Sequence, residues 1–348
     1  MTPRLAFAYP GNLELKTGGY GYDREIIAGL KQLGWVTDLI PLGEGFPSPS
    51  PTTLEEAETR LSALPDGMLV IIDGLAFGVM DKWAKREEKR LKIVALVHHP
   101  LALETGVSEN DQIRLRHTET NALAATRHVF VTSPMTAREL TENFAVPKAK
   151  ISIAVPGTAK PPNSDKAQNE IPHILSVGSL TRRKGHDVLI ASLAKIVDLS
   201  WTATIVGSPH LDPSVAAALE DQIKALDLSD RVTLAGECED LTAAYTSADI
   251  FALASRYEGY GMVFAEALSY GLPIVACRSG AVPEVVPSDA GYLVAVDDHE
   301  AVASALRMLL TDPGQRARRA EAAASAGAKL PTWTETSTIL SNGLKELI

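Results

Sequence analysis

Residues Ser255–Gly271 read SRYEGYGMVFAEALSYG and directly follow the apolar run Asp249–Ala254. A buried strand that ends in a glycine turn and enters a helix is one repeating unit of an α/β sheet. Gly259 and Gly261 flank Tyr260, and the stretch Gly261–Tyr270 predicts a helix. The glycines let the chain turn sharply and bring backbone N–H groups close to a ligand. The helix N-terminus adds unpaired N–H groups and a positive dipole, which suit phosphate. Glu258 stands before this helix, and Glu266 lies about a turn and a half inside it. Carboxylates so placed can accept hydrogen bonds from vicinal sugar hydroxyls.

The same strand-then-helix rhythm runs outward in both directions. Toward the amino terminus the strand candidates are Leu5–Tyr9, Met68–Ile72, Ile93–Val97 and Val129–Thr132. In the second half of the chain they are Ile174–Val177, Ala203–Val206, Val232–Leu234, Ile250–Leu253 and, beyond the segment, Ile274–Ala276. Their near-continuous hydrophobicity predicts parallel strands covered on both faces, and helical patterns lie between them. The polar, proline-containing Gly157–Ile171 (GTAKPPNSDKAQNEI) breaks the rhythm and reads as a linker. The fold class is therefore α/β, with two doubly wound domains of comparable size over residues 1–160 and 170–330. At ~150 residues per domain, a chain of 348 residues fits that division. The proline-rich Pro47–Pro51 reads as a surface loop, and Thr332–Ile348 as a separate terminal helix.

Three further constellations sit where strands end. Ile174–Ile190 (ILSVGSLTRRKGHDVLI) places Arg182, Arg183 and Lys184 after a strand, where several cations can offset a pyrophosphate without a metal. Tyr9–Tyr22 (YPGNLELKTGGYGY) follows the first strand and carries Gly18, Gly19 and Gly21 as a flexible, close-approach loop. It lacks the third glycine of the dinucleotide fingerprint, which makes a nicotinamide oxidoreductase a poor fit. Ile93–Glu104 (IVALVHHPLALE) puts His98 and His99 directly after a strand, and either could donate to a substrate hydroxyl or accept a proton. Adjacent residues in an extended chain point opposite ways, so only one of the two can face a given ligand.

Composition narrows the function. Lys plus Arg is 33 against 43 Asp plus Glu, a net charge of −10, which argues against general nucleic-acid binding. Two cysteines, Cys238 and Cys277, are no disulfide framework, and no CxxC or HExxH pattern suggests a metal site. No signal peptide or membrane span is evident, which implies a cytoplasmic protein. The segment Asp81–Lys92 (DKWAKREEKRLK) mixes six basic with three acidic residues. It reads as a solvated helix face, or as a peripheral membrane contact with Trp83 at the interface.

Taken together, EGYGMVFAE, the VGSLTRRKG loop, the Gly18–Gly19 loop, the histidine after a strand, the GEC segment Gly236–Cys238 and the SADIFALAS lead-in resemble the family-4 retaining glycosyltransferases. The resemblance covers nearly the whole chain. It implies the GT-B fold, two Rossmann-like domains facing across a cleft, with the terminal helix 332–348 rejoining the first domain. It implies a retaining, metal-independent hexosyl transfer from a nucleoside-diphosphate sugar, UDP- or GDP-linked, to a sugar or glycolipid acceptor, with no cofactor. Glu266 would hold the ribose hydroxyls, and Glu258 those of the transferred sugar. Backbone groups of Gly259, Tyr260, Gly261 and Met262 would contact sugar and phosphate. Lys184 would contact the diphosphate, Cys238 would border the nucleobase through its backbone, Gly18 and Gly19 would approach the donor phosphate, and His98 would contact the donor sugar near the reacting centre. Where the family often has an arginine, as in VGRL, this chain has Ser179. Arg182 or Arg183, with Arg183 preferred, would supply that charge. A nucleotide-sugar epimerase of the same architecture and a non-catalytic nucleotide-sugar binding protein are the competing readings.

Overall fold

The structure, a computed structural model, describes residues 2–161 and 169–348. The linker expected over Gly157–Ile171 therefore lies in part, at 162–168, outside the described residues. The chain divides into two compact units, Met1–Gly157 with Pro331–Ile348, and Thr158–Leu330.

The first unit is built on a six-stranded sheet of β1 (Arg4–Tyr9), β2 (Val36–Pro41), β3 (Leu69–Asp73), β4 (Lys92–Val97), β5 (His128–Val131) and β6 (Ile151–Ile153). The order is β2-β1-β3-β4-β5-β6, and every pairing is parallel. The second unit repeats the plan with β7 (His173–Val177), β8 (Thr202–Val206), β9 (Val232–Gly236), β10 (Ile250–Leu253), β11 (Ile274–Cys277) and β12 (Gly291–Val294). Its order is β12-β11-β10-β7-β8-β9, again all parallel. The expected doubly wound α/β class is thus what forms. The interior strands β3 and β10 are buried along their whole length, which is why they read as apolar runs. Strands β2 and β6 escape a reading by apolar runs because each is an edge strand with only part of its length covered, and the edge strand β12 because its apolar run is short. In a doubly wound sheet, ligands bind outside the carboxyl ends of the strands where the strand order reverses. That point lies between β1 and β3 in the first sheet, and between β7 and β10 in the second.

Two sequence expectations need correction. Trp83 is fully buried in the first unit's core and donates from Nε1 to Ser62 Oγ at 3.0 Å, so it does not stand at an interface. Three of the six cations of its segment pair with acids: Lys85 with Glu88, Arg86 with Glu58, Arg90 with Glu87. No helix among the described residues is long and apolar enough to cross a membrane. Pro51 is not part of a loop; it opens the helix Pro51–Ser62, capped by Ser50, because its missing N–H costs nothing at a first helical position.

The terminal helix Trp333–Lys345 starts at a capping box formed by Thr332 and Glu335. It packs on the helix Gly18–Gln32 within the first unit, burying Leu340 and Leu344. Trp35 Nε1 donates to Ser341 Oγ at 2.9 Å, and Thr336 Oγ1 donates to the Val155 carbonyl at 2.8 Å. Contact this close relies on Gly29, where an added Cβ would lie 2.0 Å from Ser337 Oγ.

In the second unit His186 opens the helix His186–Leu193, fully buried, with Nε2 3.0 Å from the Gly178 carbonyl at the end of β7. Burial, and then the nearby Lys184 charge, push its pKa down to about 4, so the folded imidazole is neutral and donates to that carbonyl.

Two outcomes follow. Gly29→Ala gains helix propensity yet is expected to lower the melting temperature, because overpacking of this kind costs about 1–3 kcal/mol. Adding Ser337→Gly should restore it, and an unchanged melting temperature in the single variant would disprove the close docking. Unfolded histidine binds its proton near 6.5, so the contribution of His186 is complete above that pH and is lost as pH falls toward 4. Denaturant titrations of wild type and His186→Gln should therefore diverge over that window, by up to about 3 kcal/mol.

Candidate active site

Two loops of the second unit meet where its strand order reverses. After β7, Arg182–Lys184 form a short 3₁₀ turn, and Gly185 follows in the left-handed region at φ 66°. A Cβ on Gly185 would stand 1.9 Å from the Ala254 carbonyl oxygen at the end of β10. The contact is fastened by Arg256, whose N–H donates to the Arg183 carbonyl at 2.8 Å. Its guanidinium spans Asp187 (2.7 and 3.0 Å) and Asp297 (2.8 Å).

This approach delivers Lys184 Nζ to Glu258 Oε1 at 2.7 Å and Arg183 to Glu258 Oε2 at 3.2 Å. Ser255 Oγ donates to the same carboxylate at 2.7 Å. Burial pushes the Glu258 carboxyl up, but Lys184 and then Arg183 outweigh it and hold the pKa at about 2. Arg182 is exposed, and its carbonyl accepts from Arg256. Of the two candidate arginines, then, Arg183 joins Glu258 and Arg182 faces outward. From the far side, Gly280 lets its loop close on Glu258: a Cβ there would be 2.1 Å from the Glu258 carbonyl, and Ala281 N–H donates to that oxygen at 2.9 Å.

Beyond Gly259 the chain passes the buried Tyr260, whose phenol burial raises to about 12. Gly261, at φ 93°, then opens the helix Met262–Ser269, which no side chain caps. One turn in, Glu266 Oε2 accepts from the Tyr245 hydroxyl at 2.6 Å. Burial raises its carboxyl above the usual range, while Tyr245 and Lys184 act against that rise. Cys238 is exposed on the loop after β9, where its thiol donates to the Asp240 carbonyl at 3.1 Å. The second unit thus gathers Arg183, Lys184, Glu258, Glu266 and a helix N-terminus around one switch point. Two cations and backbone donors suit a phosphate, and two carboxylates suit hydroxyls.

The first unit has a site of a different electrostatic kind. Gly18, Gly19 and Gly21 lie in the first turn of the helix Gly18–Gln32, capped by Thr17. This corrects the expected flexible loop, since none of the three has a positive φ. The close approach is nevertheless present: a Cβ on Gly19 would meet His98 at 3.5 Å. His98 follows β4, with Nε2 3.3 Å from Asp23 Oδ1 and 3.5 Å from Asp73 Oδ2. Tyr22 meets its ring edge-on at 5.3 Å. Asp73 is further held by the Leu75 N–H at 2.6 Å.

Burial would lower the His98 pKa, but hydrogen bonds and charge from Asp23 and Asp73 outweigh it and raise it to about 10. Burial, and then Asp73, push the Asp23 carboxyl up to about 7. The two carboxylates therefore favour the protonated imidazolium, in which both ring nitrogens are donors. His99 turns to another partner, Glu104 Oε2, at 3.0 Å. Asp23, Asp73 and His98 offer ligand atoms within 4.8 Å of one another, and among the described residues they are the group so spaced for a metal ion. Reading by motif passes over both aspartates. Their signals are an acid closing an apolar strand, LVIID, and an acid on the buried face of a helix beside Tyr22, Ile26 and Ile27.

Residues 160–326 match the family described as glycosyl transferases group 1. A Haemophilus influenzae protein described as an uncharacterized glycosyltransferase is 36% identical over 168 residues, 47% of this chain and 46% of that one. The chain thus spans less than half the length of that curated relative. Sucrose-phosphate synthase from Thermosynechococcus elongatus superposes with a TM-score of 0.83 at 22% identity, over 99% of both chains. Anabaena Alr3699/HepE in complex with UDP-glucose superposes with a TM-score of 0.76 at 18% identity, over 98% of this chain and 100% of that one. The chain has the GT-B fold, and its residues 160–326 match the glycosyl transferases group 1 family.

Proposed function

We propose that this protein transfers a hexosyl group from a UDP- or GDP-linked sugar to a hydroxyl of a sugar or glycolipid acceptor, with the anomeric configuration retained. The observation that carries the reading is the cluster of Arg183 and Lys184 on Glu258 beside the uncapped helix Met262–Ser269, with Glu266 one turn further in. The match of residues 160–326 to the glycosyl transferases group 1, and the complex of the structurally similar HepE with UDP-glucose, support a nucleotide-sugar donor.

In this reading Lys184 and Arg183 bind the diphosphate, and Glu266 accepts from the ribose hydroxyls. Glu258, freed from part of its cation pairing, accepts from hydroxyls of the transferred sugar. Backbone groups of Gly259–Met262 contact sugar and phosphate, and the backbone at Cys238 borders the base. In the first unit we assign Gly18–Gly19 to the donor phosphate and His98, as imidazolium, to the donor sugar. As the glycosidic bond breaks, the leaving diphosphate gains charge. The two fixed cations and the helix terminus stabilise that charge without reorganising. The acceptor oxygen then bonds to the anomeric carbon on the same face, through an oxocarbenium-like state, and its proton passes to the departing phosphate oxygen.

A panel of nucleotide sugars tested by thermal shift, followed by nucleotide release with candidate acceptors, tests the reading. Binding to none of them would overturn it, as would isomerisation of the donor without an acceptor, or binding that never leads to turnover. Lys184→Ala is expected to slow turnover by about 10²–10³-fold, the scale of losing one preorganised donor to a developing anion. Unchanged turnover would remove the phosphate role. Because protein cations and backbone N–H groups carry the charge in this mechanism, turnover in excess EDTA should equal turnover without it. A loss restored by added divalent ion would show that a metal takes part.

A further inference from the structure

We infer that Tyr245 is a positioning residue of the nucleotide site: its hydroxyl fixes the Glu266 carboxylate for a ribose diol and thereby sets a preference for ribo- over deoxyribonucleotides. The inference rests on the assignment of Glu266 to the ribose.

Tyr245 lies in the helix Thr242–Ser247, which follows β9 and its loop, and is buried. Its ring stacks on Tyr270 at 5.0 Å and 18°, and on Phe251 of β10 at 6.2 Å and 28°. Tyr270 in turn reaches back to Thr242 Oγ1 at 3.5 Å. These ring contacts fix the plane of the phenol, and hence where its single proton can go. The Glu266 oxygen is 2.6 Å away and the Val263 carbonyl 3.4 Å, so the proton goes to the carboxylate. A contact this short to a charged acceptor is of the strong, charge-assisted kind.

That bond does two things for Glu266. It uses one acceptor position of Oε2 and leaves the others of the carboxylate for neighbouring hydroxyls, in a fixed orientation. It also favours the ionised form, against burial, which raises the carboxyl. A protonated Glu266 would offer one donor oxygen and one acceptor, a poor match to two hydroxyl donors. The packing of the ring needs no hydroxyl, since phenylalanine would stack equally well. The hydroxyl is what reaches Glu266.

The test is calorimetric titration of the full chain with UDP and GDP, and with their 2′,3′-dideoxy counterparts. Wild type, Tyr245→Phe, Glu266→Ala and the double variant are compared, with circular dichroism confirming the fold of each. Wild type should prefer the ribonucleotide by tenfold or more, and Glu266→Ala should abolish that preference. Tyr245→Phe should cut it several-fold while leaving the dideoxynucleotide affinity unchanged, and the double variant should match Glu266→Ala alone. If Tyr245→Phe keeps the full preference, or weakens both nucleotides equally, the role of Tyr245 is refuted while the ribose assignment stands. If wild type shows no preference, or Glu266→Ala retains it, or neither nucleotide binds, the assignment of Glu266 fails and the inference with it.

Discussion

Position 185 has no room for a side chain beside the Ala254 carbonyl, and that close approach organises the site of the second unit. It brings the loop after β7 against the loop after β10, so that Lys184 and Arg183 share the Glu258 carboxylate. Two cations and one anion held together in a poorly hydrated place are stable only as a set. Removing one partner of a buried pair of this kind typically costs about 3–5 kcal/mol, because a charge is left without compensation. Arg256, bonded to both loops and to two aspartates, keeps the set from spreading.

The two units share a sheet plan and invert its electrostatics. At the second switch point two cations face one carboxylate. At the first, one imidazolium faces two carboxylates, and Asp23 and Asp73 cannot both ionise cheaply in their burial. The transfer proposed above, from a diphosphate and through a positively charged sugar, would use both arrangements. The first keeps a strong donor in place, and the second keeps cations in reserve.

The interior strands and the glycine-glutamate segment are readable in the sequence because burial on both faces writes continuous apolar runs, and a ligand turn writes glycines. The edge strands β2 (VTDLIP) and β6 (ISI) are not, since half-covered strands carry mixed residues, and β12 (GYLV) is too short an apolar run to stand out after its glycine. The choice between Arg182 and Arg183 depends on how a 3₁₀ turn faces its neighbour, which no local pattern encodes. Asp23 and Asp73 escape notice for a related reason: a lone acid in an apolar stretch becomes meaningful only when the fold sets a histidine beside it. Trp83 misleads in the opposite direction, because cations around an aromatic suggest a membrane face until their acidic partners are seen.

The docking of Trp333–Lys345 onto Gly18–Gln32 has a consequence for the order of assembly. The second unit is contiguous, from Thr158 to Leu330, and holds all its partners as soon as it leaves the ribosome. The first unit does not. Its opening helix and the turn after it present Gly29 and Trp35 to a partner made more than 300 residues later. Synthesis usually lets the amino-terminal domain finish first. Here the half begun earliest is the last to close, and until then it carries an uncovered helix face for which any chaperone would have to provide.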